Sequence, residues 1–291
     1  MNYKLPQKFP LLPRKKNTNK FTYGHALILA GSRGMTGAAI LASRAALESG
    51  SGLVTLGIPK SLVFIAAKSL PEVMQLGLPE TRSASTSLSA YPAIIKFIGK
   101  RRINGVLIGP GLSQNSQTAQ LARKLVSTLS MTTVLDADGI NGFSSRGGKN
   151  HMNELRSHGG PLIITPHEKE FERLFSERWP KTISDRIKLA KRLSKSYDVV
   201  LVMKGCGTLV VSGEKCYVNP TGNPGMAKGG AGDVLSGMIT AFVCQKLDPF
   251  SAASWAVYFH GRAADLAVKE RGELGLIASD IIRFLPKAFS R

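Results

Sequence analysis

Short apolar runs alternate with segments of helical periodicity along most of the chain. Runs typical of buried strands lie at positions 25–30, 53–58, 106–108, 133–136 and 162–164, and helical patterns include 37–49, 116–129 and 167–175. Because a helix fits between successive strands, this alternation predicts a mostly parallel sheet with helices on both faces. The predicted fold class is therefore α/β, with three layers.

The pattern changes after a helical stretch at 182–196. Apolar runs at 199–203, 208–212 and 215–218 follow each other too closely for crossover helices. They predict a short antiparallel meander at one edge of the sheet. Apolar positions then recur at helical spacing from Asp233 onward, and helical patterns follow at about 250–269 and 279–284. We expect one domain over residues 21–291, preceded by a basic N-terminal extension over residues 1–20.

The length of 291 residues and the hydrophobic content of 43% are those of an ordinary globular protein. The three cysteines are too few and too scattered for a disulfide framework, which favours a reducing, cytoplasmic setting. The N-terminus lacks the apolar run of a signal peptide, and no segment approaches the roughly 20 apolar residues that span a bilayer. We therefore expect a soluble protein without a membrane partner.

The formal net charge of +20 predicts a field that attracts anions, among them nucleotides, phosphorylated cofactors and nucleic acids. The cations are dispersed along the sequence and are not interleaved with aromatic residues, as they are on surfaces that bind single strands. A basic nucleic-acid-binding protein remains an alternative, although nucleic acid is not the expected partner.

Four small residues, Gly229, Gly230, Ala231 and Gly232, immediately precede the helix predicted at Asp233. Backbone N–H groups that no side chain obstructs would converge there at the positive end of the helix dipole and form an anion hole. Asp233 is then the candidate base that takes a proton from an attacking hydroxyl. A flexible turn with a helix-capping aspartate explains the same residues equally well.

Other loops follow predicted strands, at the edge where ligands bind in open α/β sheets. The loop from Lys204 to Thr208 offers a cation, flexible backbone and a hydroxyl to a nucleotide, but an ordinary hairpin also explains it. In Thr165-Pro-His167, helix capping explains the two glutamates that follow, whereas His167 is left as a candidate substrate contact. The other four histidines have no setting that predicts a role. Further loops of this kind run from Ala30 to Ala39, from Gly109 to Leu112 and from Asp136 to Asn141.

Taken together, these strings resemble the NAD(P)H-hydrate dehydratase branch of the ribokinase-like superfamily, which repairs nicotinamide nucleotides. The resemblance covers nearly the whole chain as an ordered set of motifs. Its most specific part is Asn-Pro-Gly-Met at 223–226 followed by Gly-Gly-x-Gly-Asp at 229–233, and Thr-Pro-His-x-x-Glu at 165–170 adds to it. Ala231 departs from the family, which usually has Thr or Ser there, so the phosphate contact of that hydroxyl is missing from the expected site.

The resemblance implies a ribokinase-like three-layer αβα fold and ADP- or ATP-dependent dehydration of (6S)-NADHX and (6S)-NADPHX, the hydrates of NADH and NADPH. A terminal phosphate is transferred to the hydrate hydroxyl, and elimination of that phosphate restores the double bond. The resemblance assigns catalysis to Asp233 and phosphate binding to residues 229–232. It assigns nucleotide contacts to Lys204, Gly205, Cys206, Gly207, Thr208 and Gly232, and hydrate contacts to Gly37, Ala38, Ala39, Gly111, His167 and Asp233.

The resemblance also implies Mg²⁺, with ligands that it does not identify. It favours ADP over ATP as the phosphoryl donor, because the segment 30–39 resembles bacterial members. The implied partners are an NAD(P)HX epimerase on a separate chain and further copies of the chain in a homo-tetramer. A kinase of the same superfamily, acting with ATP on a hydroxymethylpyrimidine, thiazole or pyridoxal alcohol, would share Asp233 and its loop, and it remains an alternative.

Overall fold

The computed structural model describes residues 4–144 and 151–290. The strands are β1 (His25–Leu29), β2 (Leu53–Pro59), β3 (Met74–Leu78), β4 (Gly105–Ile108), β5 (Thr132–Leu135), β6 (Leu162–Ile164), β7 (Val199–Met203), β8 (Leu209–Ser212) and β9 (Lys215–Val218). They form one sheet in the order β3-β2-β1-β4-β5-β6-β7-β8-β9. Neighbours from β3 to β7 are parallel, whereas β7, β8 and β9 are antiparallel. The predicted parallel sheet with an antiparallel edge meander is confirmed.

Helices cover both faces of this sheet. They are α1 (Thr36–Glu48), α2 (Val63–Ser69), α3 (Tyr91–Lys100), α4 (Ser116–Thr128), α5 (Asp138–Asn141), α6 (Met152–Arg156), α7 (Glu168–Phe175), α8 (Ile183–Tyr197), α9 (Ala231–Cys244), α10 (Pro249–Gly275) and α11 (Ala278–Phe289). The apolar sides of α1, α2, α9, α10 and α11 pack in one core, and those of α3 to α8 pack in a second core on the opposite face. The sheet between two helical layers gives the three-layer αβα fold that the pattern predicts.

The helices α1 and α9 cross in close contact. A Cβ atom added to Gly237 of α9 would lie 2.2 Å from the backbone oxygen of Ala42 in α1, so only glycine permits this approach. Leu41 of α1 lies beside the start of α9, where a Cβ added to Gly230 would be 2.7 Å from Leu41 Cδ1. This crossing fixes the N-terminal turn of α9 against the helix that follows β1.

Several elements differ from the prediction. The strand β3 and the helices α2, α3, α5 and α6 were not predicted. In β3, an edge strand, only Leu78 is buried, so the strand lacks the continuous apolar run of the inner strands. Helix α9 begins at Ala231, two residues before the predicted start at Asp233, so two residues of the glycine loop lie in its first turn.

Near the N-terminus, the Phe9 ring packs against Phe242 and Phe259, at centroid distances of 5.1 and 4.7 Å. Within residues 4–144 and 151–290, none of the helices combines the length and apolarity needed to cross a bilayer.

Candidate functional site

Loops at the carboxyl ends of five parallel strands contact one another along one edge of the sheet. The loop after β1 contacts the loop after β4, because the Gly31 N–H donates to the Pro110 oxygen at 2.8 Å. The loop after β4 contacts the loop after β5, where the Ser113 N–H donates to Asp138 Oδ2 at 2.9 Å. The loop after β6 contacts the loop after β7, because the Lys204 N–H donates to the Pro166 oxygen at 2.9 Å. The structure therefore gathers the loops that the sequence indicated at the edge where α/β sheets bind ligands.

The loop of residues 229–232, called the anion loop below, leads directly into α9. Its Gly230 is the N-cap residue, with φ of 93° and no side-chain cap. The Val234 N–H makes the first helical bond, to the Gly230 oxygen at 3.1 Å. The amides of Ala231, Gly232 and Asp233 consequently have no acceptor within the helix. The anion loop thus offers amides that no side chain obstructs at the positive end of a helix, as an anion hole requires.

Lys204, directly after β7, connects the sheet edge with the anion loop. Its Nζ donates to Asp136 Oδ1 at 2.7 Å and lies 3.8 Å from Glu170 Oε2. The Thr165 hydroxyl donates to the same Asp136 oxygen at 2.7 Å. A Cβ added to Gly232 would lie 3.3 Å from Lys204 Nζ. A positive charge held by two carboxylates therefore lies beside the loop proposed to bind phosphate.

The charges of this cluster depend on one another. Burial acts to lower the pKa of Lys204, but the carboxylates of Asp136 and Glu170 outweigh it, so the pKa is raised and the ammonium stays charged. Burial raises the pKa of Glu170, and the Lys204 charge opposes that rise. Removal of any one member would leave its partners buried without compensation.

Asp233 lies in the first turn of α9 and has the electrostatic properties of a general base. Burial, and then the negative charge of Asp136, raise its pKa from 3.8 to about 7, against the opposing effect of Lys204. A carboxyl group with a pKa near the working pH exchanges protons most effectively in catalysis. The position and the pKa of Asp233 are both suited to take a proton from a hydroxyl that approaches the anion loop.

His167 forms the N-cap of α7 with its side chain. Its Nδ1 accepts from the Glu170 N–H at 3.3 Å, and the Glu170 carboxylate accepts from the His167 N–H at 2.9 Å. The other ring nitrogen, Nε2, lies 3.2 Å from Glu170 Oε1. Burial and then the Lys204 charge lower the pKa of His167, so a neutral ring with its proton on Nε2 fits these contacts. The His167 side chain is nevertheless 48% exposed, which leaves part of the ring open to a ligand.

The residues expected to contact a hydrate lie where α1 begins. Gly37 is exposed and no atom lies within 4 Å of a Cβ added there, whereas the Ala39 side chain is fully buried. The Ser32 hydroxyl donates to the Gly111 oxygen at 2.8 Å. Gly111 has φ of 59°, and a Cβ added to it would lie 3.1 Å from the Cβ of Ala38. These contacts place Ala38 beside Gly111, with the exposed Gly37 next to Ala38 in the chain.

The loop 204–208 closes on itself. Thr208 Oγ1 donates to the Gly205 oxygen at 2.8 Å and accepts from the Gly205 N–H at 3.3 Å, so the hydroxyl belongs to the turn. Gly205 and Cys206 are exposed, and Gly207 has φ of 63°. Arg186 reaches this loop from α8, donating to the Cys206 oxygen at 3.4 Å, with its guanidinium 5.0 Å from the Trp179 ring centroid. An aromatic ring and a cation therefore flank the loop.

Oxygen ligands of the kind that Mg²⁺ prefers are present at this edge. Asp136 Oδ2 is buried and has no hydrogen-bond partner within the described residues, while Oδ1 of the same group accepts from Lys204. Across residues 4–144 and 151–290, no three His, Cys, Asp or Glu side chains converge as a metal site. Such a site fits Mg²⁺ held by one or two carboxylates together with phosphate oxygens and water.

Sequence reasoning did not find several residues of this region. Glu170 was predicted only as a capping residue, and Trp179 and Arg186 had no predicted role. Asp265 of α10 accepts from the Gly222 N–H in the segment that leads to the anion loop, and His260 of the same helix is buried, with Nε2 unpartnered among the described residues. The only signal for His260 was a single imidazole among apolar positions of a predicted helix, which by itself indicates no function.

Comparison with known proteins identifies the family of the chain. A family model described as NAD(P)H-hydrate dehydratase matches residues 26–287. The ADP-dependent (S)-NAD(P)H-hydrate dehydratase of Bacillus subtilis is 33% identical over 279 residues, which are 96% of this chain and 93% of that protein. The bifunctional NAD(P)H-hydrate repair enzyme of Moorella thermoacetica is 37% identical over 277 residues, 94% of this chain and 51% of that protein. The chain thus spans about half the length of the bifunctional relatives.

Solved structures show the same relationship. The crystal structure of the ADP/ATP-dependent NAD(P)H-hydrate dehydratase of Bacillus subtilis, co-crystallised with ATP/Mg²⁺, has a TM-score of 0.80 at 31% identity and covers 96% of this chain and 93% of its own. A hydroxyethylthiazole kinase from Pyrococcus horikoshii shares the fold alone, with a TM-score of 0.60 at 16% identity over 91% of this chain and 88% of its own. The chain belongs to the NAD(P)H-hydrate dehydratase family and has the ribokinase-like fold.

Proposed function

We propose that this protein catalyses the ADP- or ATP-dependent dehydration of (6S)-NADHX and (6S)-NADPHX to NADH and NADPH, as a hydro-lyase of nicotinamide nucleotide repair. The observation that carries the proposal is the position of Asp233, a carboxyl group with a pKa of about 7 in the first turn of α9, next to the amides of the anion loop and the Lys204 charge. Membership of the dehydratase family supports the substrate class.

In the proposed reaction, Asp233 takes the proton of the hydrate hydroxyl at C6 as this oxygen attacks the terminal phosphate of the nucleotide. The donor leaves as AMP when it is ADP, and as ADP when it is ATP. The amides of the anion loop and the Lys204 ammonium stabilise the negative charge on the phosphoryl oxygens. Loss of phosphate from C6, together with a ring proton, then restores the double bond of the nicotinamide ring.

The nucleotide and the hydrate would occupy opposite sides of the anion loop. We assign the nucleotide to the exposed loop of Lys204, Gly205, Cys206, Gly207 and Thr208, with Gly232 beside it. The Thr208 hydroxyl is used inside its turn, so this loop would contact the nucleotide mainly through backbone groups. We assign the hydrate to Gly37, Ala38, Ala39, Gly111, His167 and Asp233.

We further propose that Mg²⁺ acts with the nucleotide phosphates and is held by the carboxylates of Asp136 and Glu170. The unpartnered Asp136 Oδ2 and the oxygen chemistry of both groups support this assignment. The ion would supply positive charge that neutralises the phosphates. Lys204 Nζ donates to the other oxygen of Asp136, Oδ1, which leaves Oδ2 for the ion.

A turnover assay tests the proposal directly. Hydrated NADH and hydrated NADPH would be incubated in parallel with ADP and with ATP, each with and without Mg²⁺, while NADH absorbance and nucleotide products are followed. We expect absorbance to recover at the expense of the nucleotide, with ADP as the better donor. A stable phosphorylated alcohol from hydroxymethylpyrimidine, thiazole or pyridoxal substrates, without NADH recovery, would contradict the dehydratase in favour of the kinase. Salt-dependent nucleic-acid binding without nucleotide turnover would contradict both.

The organisation of the protein is also a proposal. We propose that residues 21–291 form one catalytic domain with a basic extension at residues 1–20, and that the protein is a cytoplasmic homo-tetramer. We also propose an NAD(P)HX epimerase as the functional partner, because the relatives named bifunctional NAD(P)H-hydrate repair enzymes extend well beyond the aligned region. Light scattering coupled to gel filtration measures the oligomeric state, and an epimerase added to the (6R) hydrate tests the coupling.

A further inference from the structure

The segment of residues 219–228, between β9 and the anion loop, runs along α10. Near the start of this segment, the Thr221 hydroxyl donates to the Tyr258 oxygen at 2.8 Å. At its end, Lys228 Nζ donates to the Leu274 oxygen at 2.5 Å. Positions nearer the anion loop thus contact positions nearer the C-terminal end of α10, so this helix supports the part of the chain that leads into the anion loop.

Between these two contacts, the Asp265 carboxylate of α10 binds two consecutive residues of the segment. Its Oδ2 accepts from the Gly222 N–H and its Oδ1 accepts from Asn223 Nδ2, both at 2.9 Å. Hydrogen bonds to an ionised acceptor are stronger than those between neutral groups. Because both carboxylate oxygens are engaged, Asp265 fixes the position of the segment along the helix as well as its distance from the helix.

The Asn223 side chain connects Asp265 with the next turn of the chain. Its Oδ1 accepts from the Gly225 N–H at 3.1 Å, while its Nδ2 donates to Asp265. The orientation of this amide follows from its partners, because Gly225 offers a donor and Asp265 an acceptor. A Cβ added to Gly225 would lie 2.9 Å from the Glu273 oxygen, so the turn packs closely on the last part of α10. The Asn-Pro-Gly-Met string at 223–226 is therefore held against this helix.

We propose that Asp265 is a positioning residue which, through its hydrogen bonds to Gly222 and Asn223, holds the anion loop in place for phosphoryl transfer. The catalytic consequence rests on the proposed dehydratase function, whereas the structural consequence is independent of the substrate. Stabilisation of a transferring phosphoryl group depends on hydrogen-bond donors that are held in place before the reaction. A loosened anion loop should therefore lower kcat more than it weakens binding of the nucleotide in the ground state.

An exchange of the two side chains tests the contact itself. Asp265→Asn loses one of the two hydrogen bonds, because the NH₂ group of the new amide faces a donor, either the Gly222 N–H or Asn223 Nδ2. Asn223→Asp places two carboxylates against each other. The double variant restores both bonds. The amide introduced at position 265 accepts from Gly222 and donates to the carboxylate introduced at position 223, which still accepts from Gly225.

Asp248→Ala is the matched control, because Asp248 caps the other end of α10 by accepting from the Ser251 N–H at 3.1 Å. We expect this control to lower the Tm by about 2–4 °C and to leave kcat near that of the wild type. The measurements are the Tm, kcat and KM for ADP with hydrated NADH, and amide hydrogen exchange of the peptide that contains residues 229–236.

We expect Asp265→Asn and Asn223→Asp each to lower kcat by about 10- to 100-fold, with the KM for ADP within about threefold, and to speed exchange at residues 229–236. The double variant should recover most of kcat and most of the protection from exchange. A double variant as impaired as the two single variants combined, or wild-type exchange in both single variants, would overturn the proposal. If the wild type shows no turnover, the proposed function fails, while the exchange measurement still decides whether Asp265 holds the loop. Should Asn223→Asp not fold, Asp265→Asn and the double variant carry the same comparison.

Discussion

The Lys204 ammonium lies 2.7 Å from Oδ1 of Asp136, a carboxylate that is 1% exposed. Lys204 follows β7 and Asp136 follows β5, so this ion pair joins the ends of two strands that β6 separates in the sheet. Because a buried charge is stable only when it is compensated, the pair makes the electrostatics of the site depend on the fold.

Loss of one partner of this pair should be strongly destabilising. We expect Lys204→Met to lower the free energy of unfolding by about 3–5 kcal/mol, because it leaves Asp136 buried and uncompensated. Urea denaturation measures the change. The double variant Lys204→Met with Asp136→Asn should recover a large part of the loss. Lys191→Met is the matched control, since its exposed partner Glu214 stays solvated, and its effect should be small. Equal losses at both lysines would show that Lys204 is not part of a buried pair.

Asp233→Asn should lower turnover by about 10²- to 10⁴-fold, because the amide cannot accept the hydroxyl proton. Nucleotide binding, measured by calorimetry with ADP, should remain close to that of the wild type. For the wild-type protein, kcat/KM should fall on the acid side with a midpoint near the Asp233 pKa of about 7. A variant with a near-normal rate would remove Asp233 from the mechanism.

The same pKa predicts an effect of Asp233 on stability. Its folded-state pKa of about 7 exceeds the ordinary value of 3.8, so ionisation of Asp233 opposes folding increasingly as the pH rises from about 4 to about 7. Asp233→Asn should therefore raise the unfolding free energy at pH 8, by roughly 1–2 kcal/mol after allowance for solvent screening. At pH 4 the two proteins should be equally stable. A stabilisation that is independent of pH would contradict the raised pKa.

His167 combines a capping role with a proposed hydrate contact, and two substitutions separate these roles. His167→Ala removes both, so we expect weaker hydrate binding and a loss of stability of about 1 kcal/mol. His167→Asn keeps an N-cap acceptor for the Glu170 N–H and should restore most of the stability. The KM for hydrated NADH should be raised in both variants. If the KM follows stability and returns to normal in the Asn variant, His167 acts only as a cap.

Substitution by alanine should affect stability and turnover differently at two adjacent glycines of the anion loop. Gly230 has φ of 93°, and an added Cβ would lie 2.7 Å from Leu41 Cδ1. Gly230→Ala should therefore destabilise the protein by about 1–3 kcal/mol and lower kcat at least tenfold. At Gly229 no atom lies within 4 Å of an added Cβ, so Gly229→Ala should change stability by less than about 0.5 kcal/mol. Thermal unfolding and the turnover assay distinguish the two positions.

Hydrophobic periodicity alone was sufficient for most of the architecture. The strand runs from β1 to β9 were predicted with the exception of β3, because buried parallel strands are continuous apolar segments that polar loops separate. The short spacing of the last three strands excluded crossover helices and predicted their antiparallel pairing. The strand β3 was not predicted because it lies at the sheet edge with only Leu78 buried, and therefore has no continuous apolar run.

The chemistry was predictable only in part. The glycines before Asp233 indicated a loop of free amides, because glycine tolerates positive φ and leaves the backbone open. The order of motifs along the chain indicated the family. Neither observation could show that His167 Nδ1 caps α7 or that the Thr208 hydroxyl hydrogen-bonds within its own turn, since both contacts depend on side-chain geometry.

The sequence by itself therefore determined the α/β class, the loops at the strand ends and the candidate base. Only the tertiary structure decided the burial and the neighbouring charges that set the pKa of that base. Asp136, Glu170, Lys204 and Asp233 lie far apart along the chain, and their coupling arises because the sheet order and the crossing of α9 with α1 bring them together at one edge. The pKa of about 7 for Asp233 results from burial beside Asp136. The residues next to Asp233 in the sequence cannot indicate that environment, because it is formed by distant parts of the chain.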